Sequence, residues 1–517
     1  MTGPVTPEWV RDAIFYQIFP DRFAPSARVP KPGPMEPWDA PPTSKGFKGG
    51  DLLGVVEHLD HIQALGANAI YFNPIFQSAS NHRYHTYDYF AVDPLLGGNA
   101  AFRELLDACH ARGIRVVLDG VFNHASRGFW PFNHVMEAGA ASPYRSWFFL
   151  DDEALDAGRP LRAFPLEPVT VDLTSFSQDT QLGQRSRSAL GYTAWWDLPA
   201  LPKLNTSDPA CRAYLMEAAE YWIRYGADGW RLDVAEEVPD EFWREFRARV
   251  KAIDPQAYIV AEIWYEKAQD LRGDMYDALM NYPLGSAILS FVAARTLDRV
   301  VLGAHEFIDR SVTAEDAQGF GRRLERAMTV YDDATVRVQL NLLDSHDTPR
   351  FLSMAGGDVT AAKLAALIQM TVPGAPSIYY GDEIGLLGAI DPYSRGSFPW
   401  DHPERWDHGL LAYMSGAAAL RHAEPVLRHG TLSVVHAEGD VIAYRMTRDE
   451  VTAIVVVNAG TTPLRLDLAL PDLAGRTLVT RRWAGAPAGP VPDAIPVVDG
   501  HSSLEVAGRD GVVLRTS

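Results

Sequence analysis

Eight short runs rich in apolar and β-branched residues recur along most of the chain, at 13–19, 69–73, 114–122, 229–234, 257–263, 278–282, 336–343 and 377–380. Near-continuous apolar runs of this length mark strands covered on both faces. Segments of helical period lie between them. Leu52, Val55, Val56, Leu59, Ile62 and Leu65 predict one amphipathic helix over 52–65, and 101–111 and 211–225 carry similar stripes. The last follows Ser207-Asp208-Pro209, a capping residue with proline in the first turn. Eight strand–helix alternations predict an α/β fold, a (β/α)8 TIM barrel rather than an open doubly wound sheet. No Gly-x-Gly-x-x-Gly follows the first run, which argues against a dinucleotide site.

About a hundred residues separate the third run from the fourth, far more than a strand–helix connection needs. They are rich in aromatics, proline and polar residues. This predicts a lobe inserted after strand 3, over the strand C-termini where barrel enzymes place their chemistry. After residue 423 the period changes to short strands at 430–436, 441–447 and 452–458, separated by turns such as Glu438-Gly439-Asp440. The expected organisation is barrel over 1–124, lobe over 125–206, barrel again over 207–422, and a C-terminal antiparallel β-sandwich over 423–517. Pro/Gly-rich stretches at 25–45 and 485–495 read as loops. There is no internal repeat.

Composition narrows the function. The 517 residues are 47% apolar and 22% charged, enough apolar material for a large core. The net charge of −19 would repel phosphate backbones and anionic lipid, so it disfavours nucleic-acid and membrane partners. Cys109 and Cys211 make neither a disulfide framework nor a metal cluster and read as small buried residues. The N-terminus has no secretory pattern and no apolar run reaches membrane-spanning length, so a cytoplasmic protein is expected. Aromatics in polar surroundings, among them Trp130, Trp147, Trp195, Trp196, Trp264 and Trp400, suit the flat faces of sugar rings.

Four runs end in acids. They close as Leu118-Asp119 through His124, Arg231-Leu232-Asp233, Ala261-Glu262-Ile263-Trp264, and Asp344-Ser345-His346-Asp347. One acid at a strand end is commonly a solvated cap. Four converging on one barrel rim crowd like charges, which a fold keeps when chemistry uses them or a metal neutralises them. The His/Asp pairs of a two-metal site are missing. Arg231 and Asp233, two apart on a strand, leave the same face, so the guanidinium orients that carboxylate. Partly apolar neighbours would raise Glu262, as a general acid requires. Asp347 is a third carboxylate able to bind sugar hydroxyls. The division of labour matches retaining glycoside hydrolysis.

At this point the sequence resembles the α-amylase superfamily, glycoside hydrolase family 13. Its strand-three, -four, -five and -seven motifs are matched, in order, by 119–124, 229–233, Glu262 and His346-Asp347, and the likeness spans roughly 10–515. The resemblance implies Asp233 as nucleophile, Glu262 as acid/base and Asp347 as transition-state stabiliser. It implies sugar contacts from Arg231, His124 and His346, an aromatic stack from Tyr84, and a supporting acid in Asp119. Arg350 joins the expected substrate-binding set. Leu201-Pro202-Lys203-Leu204-Asn205, Trp230 to Ala235 and Ser146-Trp147-Phe148 are similar to the neopullulanase–cyclomaltodextrinase–maltogenic amylase group. Glu237 matches a position on the acceptor side that influences hydrolysis against transglycosylation.

Three departures qualify the likeness. That group carries an extra N-terminal β domain, whereas the first barrel strand here begins near residue 13. Dimerisation by that route and a narrow preference for cyclodextrins are therefore not implied, and monomer and homodimer both stay open. The family's Tyr-Asp after strand 2 is Tyr84-His85. The loop after Asp21-Arg22-Phe23 lacks an Asp/Asn cluster for calcium, and the usual Lys-His after the nucleophile is Glu236-Glu237, although Asn123 matches a second calcium position. No cofactor is expected to be required, and structural calcium is not favoured. The expected activity is retaining hydrolysis of α-1,4 bonds in maltooligosaccharides or cyclodextrins, with transglycosylation. The alternative is a glucosyl transferase or isomerase of the same superfamily, trehalose-forming or sucrose-acting. A catalytically silent sugar- or partner-binding relative is the third reading, disfavoured because the acids are present.

Overall fold

The computed structural model describes residues 4–165, 182–487, 489 and 491–517. Eight parallel strands form one sheet: β1 (Phe15–Ile18), β2 (Ala69–Phe72), β3 (Arg115–Gly120), β4 (Gly229–Leu232), β5 (Tyr258–Ala261), β6 (Ala278–Leu279), β7 (Leu340–Leu342) and β8 (Ala375–Tyr379). Each pairs with its sequence neighbours, β8 returns to β1, and a single parallel bridge between Met280 and Leu340 joins β6 to β7. The sheet is a TIM barrel.

Period-two alternation sorts its side chains. Tyr16, Ile18, Ile70, Phe72, Leu118, Trp230, Leu232 and Ile259 share the core between strands and surrounding helices. Phe15, Ala69, Tyr71, Val117, Tyr258, Val260 and Leu340 share a separate core that fills the barrel. By the same alternation Gln17, Asp119, Arg231 and Glu262 follow the inward set toward the strand C-termini.

Three expected elements differ. The helix over 52–65 is two, Leu52–Glu57 and Leu59–Leu65, broken at His58, whose ring packs 3.9 Å from that of Trp400. In the run 278–282 only Ala278–Leu279 is strand. The side chain of Asn281 then accepts from Leu284 N and starts the helix Tyr282–Val292, with Pro283 in its first turn. In the run 336–343 only Leu340–Leu342 pairs. Its first residue, Val336, ends a helical turn, Asp333–Val336, with Asp333 at its N-terminus.

Residues between β3 and β4 carry helices Trp130–Ala138, Asp152–Asp156 and Leu182–Leu190. Isolated antiparallel bridges stitch them together, and one, between His124 and Lys203, joins them to the barrel rim. Part of the expected lobe, 166–181, lies outside the described residues, as do 488 and 490 of the expected loop 485–495.

At the C-terminus β9 (Thr431–Glu438), β10 (Val441–Arg448), β11 (Val451–Asn458), β13 (Thr477–Arg481), β14 (Ala494–Pro496) and β16 (Asp510–Thr516) form an antiparallel sheet in the order 9-10-11-16-13-14. A second pair, β12 (Leu464–Ala469) and β15 (His501–Val506), packs against it through Leu466, Leu468, Leu504, Val506, Ile454 and Val456. The other face of β10 and β11 shares a core with barrel helix Val359–Thr371, and Tyr444 Oη lies 2.5 Å from Thr371 Oγ1. Both cysteines are buried and free, and no described helix is long and apolar enough to cross a membrane.

Candidate active site

β3 and β4 are in register with Asp119 beside Arg231. Arg231 is fully buried, and its guanidinium collects three carboxyls. Nη1 donates to Asp119 Oδ1 at 2.8 Å and to Asp233 Oδ1 at 2.9 Å, while Nη2 lies 2.9 Å from Glu262 Oε2. Asp233 and Glu262, at the ends of neighbouring strands, thus face one cation from two sides. Val234 N donates to Glu262 Oε2 at 3.0 Å and Trp264 Nε1 to Oε1 at 3.1 Å. Val234 has φ 37°, a left-handed backbone uncommon for a β-branched residue, directly after Asp233.

Asp119 also accepts from the hydroxyls of Tyr71 at 3.0 Å and Tyr84 at 2.8 Å. The Tyr84 ring lies parallel to His346, 6° between planes, with its hydroxyl 2.7 Å from Nε2. Gln17 Nε2 is 3.0 Å from His346 Nδ1 and donates there, which assigns the ring proton to Nε2. That N–H faces Tyr84 and, at 3.1 Å, Asp347 Oδ2. Burial holds His346 well below the usual imidazole range, with Arg395 and Arg231 adding to the effect, so the ring is neutral.

Burial is also the largest influence on the carboxyls. It pushes Asp119 up to about 6, with Arg231 pulling the other way. It raises Asp233, reinforced by Glu262 and opposed by Arg231, and raises Glu262, reinforced by Asp347 and again opposed by Arg231. One guanidinium cannot balance three carboxylates in a buried site, so protonation of the cluster is favoured over full ionisation.

The remaining expected residues fall into two groups. His124 is buried beneath Trp195, centroids 4.7 Å apart and planes at 11°, and its Nε2 has no partner. Burial pushes that imidazole down to about 3. Glu237, about one-third exposed, accepts from Trp195 Nε1 at 2.9 Å and pairs with Lys203 Nζ at 3.1 Å. Arg350, in contrast, is not brought to the carboxyl cluster. Its Nη1 donates to Tyr380 O and Asp382 Oδ1, both at 2.8 Å, and its guanidinium packs over Tyr379. Its position just beyond β7 points it at the next loop rather than into the barrel. Of the expected sugar-facing tryptophans, Trp195 and Trp264 stand at the site. Trp147 and Trp400 pack within the aromatic core, and Trp130 is exposed on the inserted segment.

Four participants were not singled out in the sequence. Gln17 is the one amide in the run 13–19, and Asn73, which donates to Tyr84 Oη at 3.0 Å, ends the run 69–73, so both carried a signal. Tyr71 did not stand out among apolar neighbours. Arg395, 3.2 Å from Asp347 Oδ1, lies in a loop without periodicity.

The described residues do not fit calcium at either of the positions where the family binds it. Asp21 is taken up by Arg22 Nε at 2.7 Å and the amides of Lys48 and Gly49, and Lys48 Nζ sits 2.6 Å from both Pro37 O and Ala40 O. A fixed ammonium occupies those oxygens. Asn123 Oδ1 is buried without a partner, but Glu237 is held by Trp195 and Lys203, and Glu236 by Tyr265. One amide oxygen is far from the six to eight oxygens calcium takes.

The alpha-amylase catalytic-domain family matches residues 17–409. The chain is 42% identical to a cyclomaltodextrinase of a Bacillus species, over 94% of this chain and 77% of that one. Among solved structures it resembles the cyclic α-maltosyl-(1→6)-maltose hydrolase of Arthrobacter globiformis, with 34% identity, TM-score 0.82, and 99% and 100% of the two chains covered. It also resembles a debranching enzyme of Nostoc punctiforme, with 39% identity, TM-score 0.82 and the same coverage. The barrel, the single guanidinium shared by carboxyls from three strand ends and these likenesses agree: the chain belongs to the alpha-amylase family of glycoside hydrolases.

Proposed function

We propose that this α-glucan hydrolase cleaves α-1,4-glucosidic bonds of maltooligosaccharides and cyclodextrins with retention, through a covalent glycosyl-enzyme. The observation that carries the reading is the pair Asp233 and Glu262 held against one buried guanidinium. Asp233, oriented by Arg231, attacks the anomeric carbon. Glu262 carries the proton that the crowded cluster retains and delivers it to the leaving oxygen. Asp347 takes sugar hydroxyls and stabilises the positive charge that builds on the ring. Glu262, now a carboxylate, deprotonates water or an acceptor sugar, which frees the product and restores Asp233. Tyr84 and His346 present flat faces to the attacked ring, and His124 has a free nitrogen for a hydroxyl. Glu237, fixed by Trp195 and Lys203, lies toward the acceptor and biases water against sugar.

Similarity to a hydrolase of a maltosyl-(1→6)-maltose ring and to a debranching enzyme favours a second reading in which α-1,6 bonds are also cut by the same carboxyls. The test is incubation with maltotriose, β-cyclodextrin, pullulan, sucrose and soluble starch, with chromatography of products and NMR of the first anomer released. An α-anomer from the α-1,4 substrates supports the main reading, and release of a β-anomer first refutes retention. Cleavage of pullulan at α-1,6 bonds supports the second. Transfer products dominating at all acceptor concentrations would replace hydrolase with transferase. Asp233→Asn or Glu262→Gln retaining full turnover in a folded protein would remove the assignment.

A further inference from the structure

Trp264, two residues past Glu262, gives that acid one of its hydrogen bonds, from Nε1 to Oε1 at 3.1 Å. An indole has this single donor, so the orientation of its ring decides whether Glu262 receives it. Among the described residues three rings border this one. Tyr282, which opens the helix after β6, lies flat against it, centroids 3.9 Å apart and planes at 7°. His305 lies near-parallel at 5.3 Å and 17°, and Phe307 meets it edge-on at 5.1 Å and 74°. Tyr282 Oη in turn lies 3.3 Å from Ser345 Oγ, which accepts from Asp347 N at 3.2 Å. The stack thus joins the acid after β5 to the turn that carries Asp347.

His305 and Phe307 come from the connection between helices Tyr282–Val292 and Ala317–Thr329. That connection is pinned, with Leu302, Ile308 and Val312 buried in one core with Leu284 and Ile288. His305 starts the helix Glu306–Ser311, and its Nδ1 accepts from Ile308 N at 3.4 Å, which puts the ring proton on Nε2. The residue is buried. Burial holds the imidazole below its usual range, opposed by Asp347 and Glu306, so the ring is neutral near neutral pH. It is therefore a fixed wall beside the indole and adds no charge to the acids. The groups that do act on Glu262 are Arg231 and Asp233 from the end of β4, Asp119 from β3, Tyr71 from β2, Tyr282 after β6 and Asp347 beyond β7. Val234 N and Trp264 Nε1 complete its surroundings as donors.

We infer that His305 is a positioning residue for the reaction: its ring fixes the Trp264 indole, and through it the carboxyl of Glu262 that protonates the leaving oxygen. The inference rests on the reading of Glu262 as the general acid. With the imidazole gone the indole rotates off Oε1. Glu262 then loses both a donor that favours its ionised form and the contact that sets its direction.

The experiment compares kcat/KM of wild type, His305→Ala, His305→Phe, Trp264→Phe and the double variant His305→Ala/Trp264→Phe, with thermal unfolding of each. The substrates are maltotriose, across pH, and phenyl and 2,4-dinitrophenyl α-maltosides. Neither aryl maltoside carries a sugar on the leaving side, and only the phenyl group needs a proton to depart. For His305→Ala we expect a fall of about 10–100-fold on the phenyl maltoside and of less than about threefold on the dinitrophenyl one. The basic limb of its maltotriose profile rises by about 1 pH unit. His305→Phe keeps a flat ring and stays within about threefold of wild type. In the Trp264→Phe background the histidine substitution has no further effect. Equal losses on the two aryl maltosides overturn the inference, since the ring would then serve structure alone. A loss confined to maltotriose overturns it by making His305 a sugar contact. So do an unmoved basic limb, additive effects in the double variant, or a loss in His305→Phe as large as in His305→Ala. If His305→Ala fails to fold, His305→Gln, which has no ring, is read by the same criteria. Wild type inactive on all three substrates would sink the functional reading itself, and this inference with it.

Discussion

Tyr84 lies parallel to His346, its ring plane 6° away and its hydroxyl 2.7 Å from Nε2, while the same hydroxyl donates to Asp119 at 2.8 Å. One phenol therefore ties the loop after β2 to acids and imidazoles from β3 and β7. In the proposed reaction the ring offers a face to sugar, and the hydroxyl keeps the buried Asp119 supplied with a donor. Tyr84→Phe retains the face and loses the tie. Removal of a hydrogen bond to a charged group predicts a fall in kcat/KM of about 10–100-fold with unchanged products. Steady-state kinetics on maltotriose checks it, and an unaltered kcat/KM would confine the hydroxyl to packing.

Trp264 donates its indole N–H to Glu262 and so favours the anion of a carboxyl that burial pushes up. With Glu262 as the proposed general acid, activity requires its protonated form before bond cleavage and is lost as pH rises through the Glu262 value. Trp264→Phe removes a donor that favours the ionised form, which raises Glu262 further. The basic limb of the kcat/KM–pH profile should then move to higher pH. A limb that stays in place or moves down contradicts the acid role of Glu262.

His85 stands where the family's motif has an acid. Burial, reinforced by Arg127, pushes it down to about 4 from an ordinary value near 6.5. A depressed imidazole stabilises the fold above its unfolded value, and that contribution is lost as pH falls from about 6.5 to 4. His85→Gln has no such dependence. Wild type should lose up to about 3 kcal/mol more stability than the variant over this window. Denaturant unfolding of both proteins at pH 7 and pH 4.5 measures the difference, and parallel losses would contradict the buried neutral state.

Gly229 opens β4 against β5, and a Cβ placed there would lie 2.3 Å from Tyr258 O. No flexible side chain can give way, so Gly229→Ala must push apart the two strands that end in Asp233 and Glu262. We expect a loss of about 1–3 kcal/mol in stability and a fall in kcat out of proportion to it. Normal kcat in a destabilised protein would show that the strand ends tolerate the shift.

Much of the site was legible before folding. Arg231 and Asp233 had to leave one face of a strand because side chains alternate, and Asp119 and Glu262 mark the ends of runs whose apolar pattern is that of buried strands. Gln17 and Asn73 could have been found by the same rule, as polar residues in buried-strand runs. Periodicity did not reveal where strands stop. The tail of the run 278–282 became a helix because Asn281 and Pro283 cap it, and the front of 336–343 did so as a helical turn beginning at Asp333. Arg350 shares its neighbourhood in sequence with Asp347 but turns toward Asp382, because a loop residue's direction is set by what it meets rather than by a period.

The amino-acid order alone determined that eight strands alternate with helices and that acids stand at the ends of several of them, since hydrophobic period and strand alternation act over a few neighbouring residues. Only the tertiary structure decided that the guanidinium beside Asp233 also serves Asp119 and Glu262, that Gln17 reaches His346 across 329 residues, and that Arg395 closes on Asp347. Those contacts join segments distant along the chain. They form when burial of the barrel core brings the strand ends together, and no local pattern encodes which loop then lies beside which.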